Sequence, residues 1–149
     1  MLHHVTPDRK GMVFCGPWVL SAITGNSVTV CEDALRAVSE EGRFAGRDGR
    51  RLQIRGVWPG EVKAALNHLG WSAELVASAK SEKMTLKRAY KTVLRPHMNS
   101  TLLVLVRGHY LAMRRGIVSD TINREMIAFS HARRLRRRNF VTAHVVKRT

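Results

Sequence analysis

The chain has 149 residues, of which 44% are hydrophobic and 25% charged; this predicts one folded domain over residues 1–149 and excludes a wholly disordered chain or a collagen-like fibre. Lysine and arginine total 26 against 11 aspartates and glutamates, and the resulting net charge of +15 favours polyanionic partners. The sequence has no apolar run of about 18 to 20 residues and no signal-peptide pattern at its start, so we expect no membrane span and an intracellular (cytoplasmic) location.

Three helices are predicted in the first half of the chain. The segment 16–25 has apolar residues at helical spacing, a proline in its first turn and a glycine at its end. The capping-box spacing of Thr29 and Glu32 predicts the start of a second helix. A glycine- and arginine-rich connection at 43–56 separates this helix from a third, which is predicted at 59–69.

The second half of the chain favours strands. A short strand is predicted at 71–77 and a fourth helix at 81–94, where a proline follows. Later runs rich in β-favouring residues predict strands at 101–107, 109–114, 117–120 and 139–146. The sequence therefore predicts an α+β fold, with N-terminal helices packed on a C-terminal antiparallel sheet. The last strand lies in a basic C-terminal segment, 131–149.

Cys15 lies at the N-terminus of the first predicted helix, where a thiol is easily activated. The unpaired backbone N–H groups and the dipole of a helix N-terminus favour the thiolate, which is the nucleophilic form. A cysteine in this position is also compatible with a purely structural role, so a partner base is needed to support catalysis. Cys31 falls in the first turn of the second helix and is predicted to be a small buried residue. The two cysteines lack the spacing of a disulfide framework or a zinc site, which favours a reducing interior.

His109 is the best candidate for the partner base among the seven histidines. It begins a predicted strand, and Asp120 ends the strand that returns from a turn at 114–116. Antiparallel pairing makes these two residues neighbours across the ladder, within reach of a carboxylate-to-imidazole hydrogen bond. The carboxylate would then orient the imidazole, which would take the thiol proton and return it to a leaving group. The alternative is a strand histidine and a turn aspartate without catalytic roles.

These elements together resemble compact papain-like cysteine peptidases. The resemblance is carried by Phe-Cys-Gly-Pro at 14–17 and the helix that follows it, by Gly-His-Tyr at 108–110, and by Asp120 later in the chain. The pattern is similar to bacteriocin-processing peptidase domains of export transporters and to small papain-like proteins of tailed bacteriophages. It implies that Cys15 is the nucleophile, His109 the general base and acid, and Asp120 the orienting carboxylate. It also implies a peptide, protein or amide substrate. The similarity to phage proteins implies a location in the interior of a virion.

One departure from the family concerns the oxyanion hole. Papain-like enzymes generally carry a glutamine about six residues before the cysteine, whereas this chain has Arg9 there and its only glutamine is Gln53. The Cys15 backbone amide is then the remaining oxyanion donor, with Arg9 a candidate second donor and with Gly16 and Trp18 expected to flank the cleft. Since the loss of one preorganised donor costs on the order of 100- to 1000-fold in rate, an inert scaffold is a serious alternative.

Basic residues cluster in three places. Five arginines occupy six positions near the C-terminus: Arg133, Arg134, Arg136, Arg137 and Arg138. Five more crowd the 43–56 connection: Arg43, Arg47, Arg50, Arg51 and Arg55. A third group lies along the predicted fourth helix: Lys80, Lys83, Lys87, Arg88 and Lys91. This distribution predicts sequence-independent contacts with the phosphates of DNA or RNA, while an aromatic content of 6% does not support base stacking.

Two functions thus remain open from sequence, a thiol hydrolase and a catalytically inert, basic structural component of a phage particle or ribonucleoprotein. They are compatible, because a peptidase within a virion would be packed beside DNA. Acyl transfer by the same three residues is a further chemical possibility, since only the acceptor differs. The histidines show no metal-ligand spacing, so neither a metal nor another cofactor is expected.

Overall fold

The computed structural model describes residues 1–40, 43, 44, 54, 56–81 and 83–149. In this part of the chain there are five α-helices: α1 (Cys15–Thr24), α2 (Val28–Val38), α3 (Pro59–His68), α4 (Leu86–Lys91) and α5 (Arg133–Arg136). The same part contains six strands: β1 (Trp71–Ser78), β2 (Thr101–Val106), β3 (His109–Arg114), β4 (Ile117–Ser119), β5 (Met126–Ala128) and β6 (Phe140–Arg148). Single 3-10 turns occur at Arg95–His97 and Phe129–His131.

The six strands form one sheet in the order β1-β6-β2-β3-β4-β5, and every neighbouring pair is antiparallel. The predicted α+β class, with N-terminal helices and a later antiparallel sheet, is confirmed. Strand β5 and helix α5 were not predicted, because both are too short to show a clear period in the sequence.

Side chains of the central strands alternate between two apolar clusters. Leu103 and Tyr110 belong to a cluster shared with α1, α2 and α3, while Leu102, Val104 and Leu111 belong to a cluster shared with α4 and α5. Both faces of β2 and β3 are therefore buried, which explains why these strands are apolar throughout. The expected N-terminal helices cover only one of the two faces.

The ends of α1 and α2 are set by specific contacts. Helix α1 starts at Cys15, as the sequence predicts, and ends before Gly25, whose φ of 77° is a left-handed cap. Helix α2 starts one residue after Ser27, whose hydroxyl accepts a hydrogen bond from the Val30 N–H at 3.2 Å. The predicted capping box of Thr29 and Glu32 is therefore wrong.

The predicted fourth helix is shorter than the 81–94 pattern suggested. The carbonyl of Met84 accepts a hydrogen bond from the Phe140 N–H at 2.7 Å, and the Leu86 N–H donates to the Arg138 carbonyl at 2.8 Å. These bonds hold the chain before α4 in extended pairing with the start of β6, and helix begins only at Leu86, after the Thr85 cap. A distant partner thus overrides the local helical period.

Two tight hairpins fix the register of β2, β3 and β4. Val106 pairs with His109 across a turn in which Gly108 has a φ of 72°. Arg114 pairs with Ile117 across Arg115 and Gly116, which both have positive φ. Positive φ at both central residues is typical of a type I′ turn, whose twist matches that of the flanking strands. The hairpin predicted at 114–116 is confirmed. Among the described residues, no helix is both long and apolar enough to cross a bilayer.

Candidate active site

Cys15, His109 and Asp120 meet at one end of the sheet. Cys15 is the first residue of α1, His109 the first residue of β3, and Asp120 directly follows β4. Because β3 and β4 are antiparallel, the start of one and the end of the other lie at the same end of the sheet. Helix α1 packs on β3, which brings its N-terminus to this end.

The histidine and the aspartate form a buried pair. His109 Nε2 lies 2.8 Å from Asp120 Oδ2, and the two residues are 5% and 0% exposed. Ala112 pairs with Ser119, so continuing the ladder places Asp120 opposite Leu111 rather than opposite His109. The two side chains are therefore diagonal neighbours, offset from the direct pairing that the sequence suggested, and they still come into hydrogen-bonding contact.

Asn123 holds the other oxygen of Asp120. Asp120 Oδ1 accepts hydrogen bonds from the Asn123 backbone N–H at 3.1 Å and from Asn123 Nδ2 at 2.8 Å. Burial raises the pKa of Asp120, but the hydrogen bonds to His109 and Asn123 outweigh it and leave this pKa below its ordinary value. Sequence reasoning missed Asn123, although an Asp with an Asn three residues later is a recognisable turn signal.

Cys15 and His109 shift each other's pKa values in opposite directions. With Nε2 bound to Asp120, His109 has its Nδ1 left for the Cys15 thiol. Burial lowers the pKa of His109, but hydrogen bonds with Asp120 and Cys15 raise it to about 9. Burial raises the pKa of Cys15, but hydrogen bonds from His109 and from the Tyr110 backbone N–H bring it below the ordinary thiol value. The arrangement favours a thiolate beside an imidazolium.

Cys31 provides an internal contrast. It is 0% exposed, and burial raises the pKa of its thiol to about 12. Its sulfur lies 3.9 Å from the Asn26 carbonyl oxygen, within the apolar cluster of the N-terminal helices. The pKa values of the two thiols are therefore shifted in opposite directions, that of Cys15 lowered at a partly exposed site and that of Cys31 raised in the apolar interior.

Trp18 lies inside the protein rather than along a cleft. It is 3% exposed and packs with Val13 and Val28. Its Nε1–H donates a hydrogen bond to the Ser119 hydroxyl at 3.1 Å, next to Asp120 in the chain. The expectation that Trp18 flanks a substrate cleft is therefore replaced by a role in joining α1 to β4.

Arg9 is fully engaged with other parts of the protein. Its Nε and Nη2 donate to the Glu32 carboxylate at 2.6 and 2.7 Å, Nη1 to the Lys10 carbonyl at 2.9 Å and Nη2 also to the Met12 carbonyl at 3.0 Å. Glu32 has little exposure, so this ion pair fixes the segment before α1 against α2. With every guanidinium nitrogen bound in this way, Arg9 is not a free oxyanion donor.

Gly16 is packed closely against Val57. A Cβ at this position would lie 2.8 Å from Val57 Cγ2. The Val57 carbonyl in turn accepts a hydrogen bond from the buried Tyr110 hydroxyl at 2.9 Å. Gly16 thus allows the segment before α3 to approach the residue after Cys15, and Trp58 follows with 49% of its surface exposed.

The predicted polyanion-binding residues fall into three groups. Arg133, Arg134, Arg137 and Arg138 are exposed on or just after α5, and Arg136 is half-buried. Arg50 and Arg51, together with Arg47 and Arg55, lie outside the described residues. Arg43 is not free for a ligand, because it pairs with the buried Glu61, donates to the Gly56 carbonyl at 2.7 Å and stacks 3.7 Å from the Trp58 ring centre.

Within the described residues, no three histidine, cysteine, aspartate or glutamate side chains are grouped in a way that would hold a metal ion.

Comparisons of the chain with protein-family models, with curated proteins and with solved structures give no significant match.

Proposed function

We propose that the protein is a papain-like thiol hydrolase that cleaves peptide or amide bonds through Cys15, His109 and Asp120. The observation that supports this most directly is the coupling of the three side chains. The Asp120 carboxylate holds His109 Nε2 at 2.8 Å, the pKa of His109 is raised to about 9, and the pKa of Cys15 is lowered. A structural cysteine needs no such activation.

The reaction follows from these proton positions. The Cys15 thiolate attacks the substrate carbonyl carbon, a C–S bond forms, and the carbonyl electrons move onto oxygen. His109 gives its proton to the leaving nitrogen, the C–N bond breaks, and an acyl-thioester remains on Cys15. Water then attacks the thioester while His109 takes one of its protons, and the C–S bond breaks to restore the thiolate.

The oxyanion is stabilised in this proposal by the Cys15 backbone N–H at the start of α1. A helix N-terminus presents unpaired N–H groups and the positive end of the helix dipole, which favour negative charge. Arg9 is bound to Glu32 and does not replace the glutamine of the papain-like pattern. With one donor fewer, we expect turnover on the order of 100-fold or more below that of an enzyme with a complete hole.

The segment at Val57 and Trp58 is the proposed wall of the substrate site. Val57 contacts Gly16, the neighbour of Cys15, and the next side chain is the half-exposed Trp58. The Arg43 guanidinium covers the Trp58 ring at 3.7 Å and keeps the indole in one orientation. We infer a preference for substrates with an apolar or aromatic side chain close to the cleaved bond.

The function is tested by comparing peptide cleavage in matched variants. The wild-type protein, Cys15→Ser and Cys31→Ser are incubated with a proteome-derived peptide library, and new N-termini are identified by mass spectrometry. We expect new termini with the wild type and with Cys31→Ser, and none with Cys15→Ser. Identical products from all three proteins would contradict a Cys15 hydrolase and favour an inert scaffold.

A further inference from the structure

A basic trough, made up of depressions that share lining residues, lies beside α4 and α5. Its basic residues are Lys87, Arg107, Arg133, Arg134, Arg136, Arg137 and Arg138. We propose that this basic trough binds the phosphodiester backbone of nucleic acid, independently of the thiol chemistry.

Three adjoining depressions make up the trough. The first, of about 500 Å³, is lined by Arg107 and Asn139, and a second, of about 400 Å³, shares both residues and adds Arg134 and Arg137. The third, of about 410 Å³, shares Arg137 and adds Lys87 together with Arg133 and Arg136. Because neighbouring depressions share lining side chains, an extended polymer can follow all three.

The backbone beneath the trough is held by pairing on both sides. The Arg107 N–H donates to the Asn139 carbonyl at 2.8 Å, and Arg138 Nη1 approaches the Arg107 carbonyl at 3.4 Å. On the other side, the Leu86 N–H donates to the Arg138 carbonyl, and Thr85 forms an isolated antiparallel β-bridge with Asn139. Arginines from the β2–β3 turn and from the region of α5 are thus brought together in a fixed arrangement.

Within the described residues, no acidic side chain lines the trough to neutralise its positive charge. Arg133, Arg134 and Arg137 have no hydrogen-bond or ion-pair partner among the described residues. Arg136 Nε is buried and lacks a partner in the same part of the chain. Only two of the 67 residues from 83 to 149 are acidic, Asp120 and Glu125, and Asp120 is bound to His109. An anionic ligand would relieve this repulsion.

The chemistry of the trough favours phosphates. Six of its seven basic residues are arginines, whose planar guanidinium donates two parallel hydrogen bonds to a phosphate. Their distribution along a connected path suits a polymer with regularly repeated charge, whereas a single carboxylate would use one depression. No exposed aromatic side chain lines the described trough, so binding is expected to be independent of base sequence.

The test uses two triple variants of the full chain with the same change in charge. Arg133→Gln, Arg134→Gln and Arg137→Gln remove three trough cations, and Lys10→Gln, Lys147→Gln and Arg148→Gln remove three exposed cations elsewhere. Binding to a fluorescein-labelled DNA duplex and to a labelled RNA of arbitrary sequence is measured by anisotropy between about 50 and 200 mM salt. Thermal unfolding and Cys15 alkylation report whether each variant is folded.

We expect the trough variant to bind at least one of the two nucleic acids about 10- to 100-fold more weakly than the wild type, with the slope of log affinity against log salt shallower by about 2 to 3. The control variant is expected to lose less than threefold, and Cys15 alkylation is expected to be unchanged in both. Equal losses in the two variants, or no binding of either nucleic acid by the wild type, would overturn the proposal. Displacement by polyglutamate as efficient as by unlabelled nucleic acid would overturn it in favour of an acidic protein partner.

Discussion

Trp18 and Ser119, 101 residues apart in the chain, are joined by a buried hydrogen bond of 3.1 Å from the indole N–H to the hydroxyl. Trp18 lies one turn after Cys15 in α1, and Ser119 directly precedes Asp120. The bond therefore ties the helix that carries the candidate nucleophile to the strand that leads to the orienting carboxylate.

Trp18→Phe tests this connection. The variant leaves the buried Ser119 hydroxyl without its partner, so we expect the free energy of unfolding to fall by about 1 to 3 kcal/mol and Cys15 alkylation to slow. Ser119→Ala is the matched control, and the double variant is expected to cost less than the sum of the two single changes. Denaturant unfolding measures all three, and strictly additive losses would contradict an interaction between these side chains.

Arg9→Ala tests whether Arg9 supports the fold rather than the chemistry. The change leaves the Glu32 carboxylate buried without its cation, so we expect a loss of stability of about 3 kcal/mol or more. Lys10→Ala, at the exposed neighbouring position, is expected to be nearly neutral. Cleavage per folded molecule should be unchanged in Arg9→Ala. A specific loss of cleavage at full stability would instead identify Arg9 as an oxyanion donor.

Gly16→Ala tests the close approach of Val57 to α1. The added methyl group would lie 2.8 Å from Val57 Cγ2, so we expect the variant to lose about 1 to 3 kcal/mol in the free energy of unfolding. Adding Val57→Ala removes the clashing methyl groups, so the second change should cost less in the Gly16→Ala background than in the wild type. Thermal and urea unfolding of the wild type, the two single variants and the double variant measure these losses of stability. An equal cost of Val57→Ala in both backgrounds would contradict the contact.

Asp120→Asn tests the electrostatic part of the site through stability in acid. The pKa of Asp120 is lowered by folding, so its contribution to stability is fully present above its ordinary value of 3.8 and is lost as the pH falls through the folded value. The stability difference between wild type and Asp120→Asn should therefore be constant from about pH 6 to about pH 5 and shrink as the pH falls below about 4. A difference that stays constant below about pH 4 as well would show that the carboxylate is not stabilised in the folded protein.

Local patterns in the sequence were sufficient to predict the elements that carry the site. A helix beginning at Cys15, a strand beginning at His109 and a turn at 114–116 depend on neighbouring residues, and each appears in the structure. Once the turn was placed, the proximity of His109 and Asp120 followed from the antiparallel ladder, although the true pairing is diagonal.

Features that depend on distant partners were not predictable in the same way. The pattern at 81–94 indicated a long helix, but the chain before Leu86 pairs with 138–140, which no local signal reports. The pairing of Arg9 with Glu32 and the hydrogen bond of Trp18 with Ser119 join residues far apart in the chain, so neither shows in the local sequence. The place of Arg107 in the basic trough likewise required the tertiary structure.

The pH dependence of Cys15 alkylation tests directly whether His109 activates the Cys15 thiol. In a Cys31→Ser background, the rate of reaction with iodoacetamide is followed by mass spectrometry, and the same titration is repeated with His109→Gln. We expect Cys15 to titrate below the ordinary thiol value of 9.0, and we expect the titration to move to higher pH when His109 is replaced. A midpoint at or above 9.0, or a titration that does not respond to His109→Gln, would contradict activation of Cys15 by His109.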